Sequence, residues 1–309
     1  MKKQMVAVTL IVASLLAVFY FLFPGFLFEL GQSASRHSAG LENKAVLVDT
    51  DRVAYLEGGT GETVLLLHGY TANKDSWVYF AKWLTPAYHV VIPDLPGFGD
   101  STKTLSESYS IESQVNRLDR FTQVLQLKKF HIAGSAMGGA IAAVYAARFS
   151  QKIPTLALLT TSGVRTAKKS EFYLKWEKGL NALLVGSRAD FERVLEFAYA
   201  KSPGMPGAFK NLMVAQCKAD RKFIEKIGQD LLKERLTLEP LLPRIQAPAL
   251  IVWGDHDRMI DISSVPILEK GLKKHQTVIL KDTGHVPMME KPEETATAYV
   301  KFLKNRRSM

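Results

Sequence analysis

Residues 133–139 read Ala-Gly-Ser-Ala-Met-Gly-Gly. This is close to the Gly-x-Ser-x-Gly turn that holds a nucleophilic serine between a strand and a helix. The frame here is Gly134-Ser135-Ala136-Met137-Gly138, with alanine at the centre. Such a turn is tight and strained, so it needs small residues two positions before and after its apex. Gly134 and Gly138 meet that need for position 136. Around Ser135 the corresponding residues are Ala133 and Met137, and the methionine would crowd the turn. Ser135 therefore reads as a neighbour that points elsewhere, and Ala136 as an apex without its oxygen.

Other stretches supply the remaining chemistry. His68-Gly69-Tyr70 follows an apolar run and can present backbone N–H groups to a developing oxyanion. Trp253-Gly254-Asp255-His256-Asp257 ends another apolar run and offers two carboxylates. Asp282-Thr283-Gly284-His285 is a turn ahead of the helical pattern Pro292 to Leu303 and offers an imidazole. Asp94-Leu95-Pro96-Gly97-Phe98-Gly99-Asp100-Ser101 adds a further turn at a strand end. Apex, then acid, then histidine is the chain order of a Ser-Asp-His hydrolase. Each feature alone is a weak signal; the ordered set is specific. His37, His89, His131 and His275 have no comparable context. No pair of histidines or cysteines has ligand spacing, so neither a metal nor another cofactor is expected.

These groups need a scaffold. Val64–Leu67, Val90–Ile92, Phe130–Ala133, Leu156–Leu159 and Leu250–Trp253 are nearly continuous apolar runs, as strands covered on both faces should be. Ile111–Leu127 and Met137–Phe149 have helical period, and strands alternating with helices predict a mostly parallel α/β sheet. The alternation stops after Ser162-Gly163. Residues 164–242 predict a helical cap, with amphipathic stretches at Phe172–Leu184, Asp190–Tyr199 and Asp220–Leu238 and a break at Ser202–Gly207. The expected core is 45–163 together with 243–309.

The N-terminus predicts a membrane anchor over residues 1–30. Met5–Phe28 carries no charge after Lys2 and Lys3. About 24 residues make a helix of roughly 36 Å, enough for a hydrocarbon core of about 30 Å. The two lysines favour a cytoplasmic N-terminus, with the rest of the chain on the far side, periplasmic in a bacterium. Ser33-Ala34-Ser35 leaves cleavage as a signal peptide open. Residues 31–44 read as a polar juxtamembrane linker. Ala13 and Ala17 form a small-xxx-small pair that could join two anchors in a homodimer. The net charge of +10 suits an anionic membrane surface. Nucleic acid is not an expected partner, since no zinc-finger spacing, RNA-binding signature or base-reading basic helix is present. The one cysteine, Cys217, cannot form an intrachain disulfide.

Taken together, His68-Gly69, Asp94–Gly99, Gly134–Gly139, Gly254–Asp257 and Gly284-His285 make residues 45–309 resemble an α/β-hydrolase of the esterase/lipase superfamily. With the anchor, the chain is similar to membrane-anchored monoacylglycerol lipases and bacterial phospholipases A. The resemblance implies a nucleophile at position 136, an acid at Asp257 in preference to Asp255, and a base at His285. It implies oxyanion donors in the backbone N–H groups of Tyr70 and Met137. The departure is Ala136. A chain that keeps every other part reads as a deliberate serine-to-alanine exchange that still binds substrate but scarcely turns it over. The anchor and the apolar, basic cap predict membrane lipids and fatty acyl chains as partners and lipid carboxylesters as substrates. Two alternatives stand beside this: a fatty-acid-binding protein with a naturally dead site, and a carbon–carbon bond hydrolase.

Overall fold

The computed structural model describes residues 4–6, 22–166, 168–234 and 236–306. Among them, eight strands form one sheet in the order β1-β2-β4-β3-β5-β6-β7-β8. The strands are β1 (Leu41–Val48), β2 (Asp51–Gly58), β3 (Glu62–Leu67), β4 (Tyr88–Pro93), β5 (His131–Ser135), β6 (Leu156–Leu159), β7 (Ala249–Gly254) and β8 (His275–Leu280). β2 pairs antiparallel with β1 and with β4; all other pairs are parallel. The chain thus has the mostly parallel α/β sheet that its apolar runs predict.

Successive strand residues point to opposite faces. Leu65, Leu67, Ile132, Leu158 and Ile251 pack with Val115, Leu118, Ile141 and Tyr145. Val64, Leu66, Ala133, Leu159 and Leu250 pack instead with Trp77, Phe80, Tyr299 and Phe302. The first set of partners comes from helices α2 (Ile111–Val124) and α3 (Met137–Arg148). Ser110 caps α2 by accepting the Ser113 N–H at 3.1 Å. The β1–β2 hairpin is not among the strands anticipated from sequence: β1 buries little beyond its two ends, whereas β2 buries the four-residue apolar run Val53–Leu56.

Three cap helices fill residues 164–242, with no strand among the described residues: α4 (Glu171–Glu177), α5 (Arg188–Ala198) and α6 (Gly207–Glu234). The pattern Phe172–Leu184 overshoots α4, which Gly179 ends at φ 75°; Gly179 and Leu180 donate back to Trp176 and Lys175. In contrast, α6 begins well before Asp220, because no Pro or turn signal follows Gly207.

The expected linker over residues 31–44 is a correction. Helix α1 (Pro24–Ser38) runs through its first half and β1 begins at Leu41. Tertiary contacts override the weak helix propensity of its Gly and Ser residues. Phe28 meets Phe209 of α6 edge-on at 5.8 Å, and Arg36 makes a bidentate pair with Asp75, both bonds 2.6 Å. Among the described residues no helix is long and apolar enough to cross a membrane. Most of Met5–Phe28, including Ala13 and Ala17, lies outside the described residues.

One buried group predicts a pH dependence. His131, at the start of β5, bonds Thr155 Oγ1 at 2.8 Å. Burial first, and then the charge of Arg306, push its pKa down to about 4 from 6.5. The Glu62 carboxylate 3.7 Å away does not offset this, because Arg306 engages it. The unfolded chain therefore takes up a proton that the native state refuses, and stability falls as pH drops from 6.5 towards 4. His131→Gln should flatten the urea midpoint against pH across that window; an unchanged slope would assign the acid sensitivity elsewhere.

Candidate active site

β5 ends at Ser135 and α3 begins at Met137, leaving Ala136 alone at the turn with φ 50° and ψ −114°. A non-glycine residue held there costs on the order of 1–3 kcal/mol and persists where its surroundings over-determine it. Those surroundings are backbone. A Cβ on Gly134 would stand 2.1 Å from Gly138 O, and one on Gly138 2.4 Å from Leu67 O. Ala136 N–H donates to Leu159 O at 3.0 Å, and Ala136 O accepts the Ser162 N–H at 3.1 Å. Ser135 is buried in the strand, in register with Leu159, and does not line the cavity that Ala136 and Met137 line. Gly138→Ala should therefore cost about 1–3 kcal/mol or more, since backbone cannot move aside as a side chain can. Urea unfolding checks this, and a loss below about 1 kcal/mol would contradict the crowding.

The histidine and the two candidate acids are sorted by geometry. His285 Nδ1 lies 2.9 Å from Asp257 Oδ2, while Asp257 Oδ1 accepts the Met259 and Ile260 N–H groups at 2.8 and 3.0 Å. The Asp257 side chain is fully buried and that of His285 is 7% exposed. Both carboxylate oxygens are occupied, so the acid is rigid and the imidazole carries its proton on Nδ1, leaving Nε2 as the basic nitrogen. Asp255 turns away: its Oδ1 meets His256 Nδ1 at 2.6 Å and the Thr283 N–H at 3.3 Å.

The third part is the turn after β3. His68 is buried, with Nδ1 on Gly69 O at 2.8 Å and Nε2 accepting the Leu95 N–H at 3.0 Å. Burial lowers its pKa, so it is a neutral structural ring that joins this turn to the Asp94–Ser101 turn. A Cβ on Gly69 would stand 3.3 Å from that of Ala136, so the turn passes over the apex. Met137 opens α3, and its N–H has no intrahelical acceptor and sits at the positive end of the helix.

Sequence reasoning misses the support beneath this turn. The buried Lys74 ammonium contacts Asp94 and Asp100, each at 2.7 Å, and Asp94 also accepts the Lys74 N–H. Burial disfavours the ammonium, but the two carboxylates outweigh it and raise its pKa. A lysine in a polar loop carries no local sign of burial, so no sequence signal could have found it. Ser162 and Thr160 are likewise missed. Thr160 Oγ1 donates to His285 O at 2.8 Å, which fixes the histidine from the neighbouring strand end.

Ala136, Met137, Tyr70 and His285 all line one cavity of about 630 Å³, with Asp257 behind the histidine. Its other walls include Phe172, Trp176 and Leu183 from the cap and Leu231 from α6. His89, His131 and His275 bond elsewhere, to Glu57, Thr155 and Leu272 O.

Residues 62–292 match the family described as alpha/beta hydrolase fold. The chain is 34% identical to Lipase 1 of Psychrobacter immobilis over 275 residues, covering 86% of each protein. It is 29% identical to human monoacylglycerol lipase ABHD6 over 256 residues, covering 79% of this chain and 76% of the relative. Among solved structures, a bacterial membrane phospholipase A described as a virulence factor superposes with a TM-score of 0.91. That protein is 41% identical, with both chains covered completely.

Proposed function

The chain belongs to the α/β-hydrolase family, and on that premise we propose that it is a lipid carboxylester hydrolase with a Ser-Asp-His design whose serine position holds Ala136. The observation that carries this reading is the Asp257–His285 pair opening onto the same cavity as the strained apex at Ala136. With a serine there, His285 Nε2 takes the hydroxyl proton, and Asp257 holds the ring and stabilises the imidazolium. The serine attacks the ester carbonyl while the Met137 and Tyr70 N–H groups receive the oxyanion. Imidazolium then protonates the leaving alcohol, and water, activated by the same histidine, releases the acid. As written, the chain keeps binding and oxyanion stabilisation and lacks the attacking atom. The uncharged stretch ahead of Pro24 serves as the anchor in this reading, which delivers the cavity to acyl chains at a membrane.

Relatives that are lipases, monoacylglycerol lipases and a phospholipase A support lipid esters over small soluble ones. Phe172, Trp176, Leu183 and Leu231 in the cap walls support the same choice. The test gives the Ala136→Ser protein phospholipid vesicles, dispersed monoacylglycerol and a short soluble ester such as p-nitrophenyl acetate. Higher kcat/KM on the lipids is expected; hydrolysis of the soluble ester alone would sink the substrate assignment.

A further inference from the structure

Two sets of contacts outside the triad join the cap to the cavity. The first runs through Tyr70. Its phenol enters the cap, where the hydroxyl donates to Ile224 O of α6 and accepts Asn181 Nδ2 at 2.7 Å. Its ring packs edge-on to Trp176 of α4 at 5.6 Å. The approach to α6 is close enough that a Cβ on Gly228 would stand 2.8 Å from this hydroxyl.

The second set holds the His285 segment to the end of α5. His285 N–H donates to Ala198 O at 2.8 Å. Glu290, in the single turn α7 (Pro287–Glu290) that follows the histidine, accepts the Gly284 N–H at 3.0 Å and the Ala200 N–H at 3.2 Å. The Tyr199 hydroxyl adds a contact to Met289 Sδ at 3.7 Å. One helical unit supplies both sets of cap partners, because Phe191 of α5 and Val214 of α6 share a small core with Val185. Among the described residues no hydrogen bond or ring contact joins Tyr70 to Glu290; Tyr70 and Val286 meet through an apolar cluster that includes Phe197 and Ala198 of α5.

We propose that Tyr70, through its hydroxyl, and Glu290 are positioning residues by which the seating of the cap sets the oxyanion turn and the base loop together. Displacing the cap to admit a lipid breaks both clamps, and reseating it restores the Tyr70 turn and the His285 loop at once. Reseating over a bound substrate then completes the site and also excludes water. The inference rests on the hydrolase reading for its consequence in turnover, but the mechanical coupling stands on the contacts alone.

Two experiments separate these levels. In the Ala136→Ser protein, Tyr70→Phe and Glu290→Gln are made singly and together and assayed on p-nitrophenyl butyrate. Breaking either clamp should unseat the cap and lower kcat about tenfold with little change in KM, on the scale of one buried hydrogen bond. Because either change alone already leaves the cap unseated, the pair should lose about tenfold as well, where sites acting independently would multiply to about a hundredfold. Glu290→Ala, which keeps neither acceptor, should fall below Glu290→Gln. Multiplicative losses, or an unchanged kcat, would overturn the coupling. In the chain as written, hydrogen exchange is read on Tyr70→Phe. Faster exchange at Ala200, Gly284 and His285, whose amides do not touch the altered ring, is expected. Changes confined to the neighbours of Tyr70, Asn181 and Ile224 would overturn the proposal. An Ala136→Ser protein that hydrolyses nothing while this exchange spreads would sink the hydrolase reading alone.

Discussion

Ala136→Ser is expected to raise lipid-ester hydrolysis by a factor on the order of 10⁶, the scale lost when a serine hydrolase is deprived of its nucleophile. Nothing else has to be built. The apex already holds φ 50° with alanine, and both flanking glycines already meet backbone that no side chain could approach. The imidazole already has its acid at 2.9 Å. A hydroxyl is small, and Ala136 already lines the cavity that His285 lines. Stability should scarcely change, since the strain belongs to the backbone and alanine bears it as serine would. Single-turnover release of fatty acid from lipid vesicles, compared between the two forms, reads the gain. An increase below about a hundredfold would mean that the oxyanion turn or the base is misplaced, because the binding and oxyanion parts alone leave about 10³–10⁴ over water.

Asp257→Asn in that serine form is expected to lower kcat about 10⁴-fold with KM nearly unchanged. The amide preserves shape, but its NH₂ group facing His285 Nδ1 favours the tautomer with the proton on Nε2, where no base remains for the serine. The Asp257 oxygen that accepts Met259 and Ile260 N–H groups also positions the loop, so asparagine, which keeps one carbonyl oxygen, is preferred to alanine as the test. Asp255→Asn is the control. Its carboxylate serves His256 on the surface, and the change should cost kcat less than about twofold, within the range of a surface substitution. Comparable losses at both positions would undo the assignment of the acid.

Much of this site is legible in the linear chain, for reasons particular to its residues. Gly134 and Gly138 are conspicuous because a strained turn tolerates little else, and their spacing identifies position 136 as its centre. His68-Gly69 and Gly284-His285 are visible because each sits at the edge of an apolar run, where a buried strand must end. The choice between Asp255 and Asp257 is different. Two carboxylates one residue apart on either side of His256 have equal local claims, and only the course of the loop after Gly254 turns one inward.

The extents of elements follow the same division. The five apolar runs become strands because a sheet covered on both faces has nowhere to place polar side chains. Helix α1 escapes notice because a half-exposed element draws its stability from partners distant in sequence. Arg36 against Asp75 and Phe28 against Phe209 are examples that no local pattern announces.

Local sequence is enough for the parallel sheet, the helical composition of the cap and the position of the strained apex at Ala136. These follow from short-range rules of period, turn sterics and residue chemistry that act within a few residues. Only the folded chain brings Asp257 to His285, buries Lys74 beneath the turn after β3, and lets Tyr70 and Glu290 reach the cap. Each of those outcomes depends on two groups meeting across distant parts of the chain, and such meetings are settled when the whole core packs.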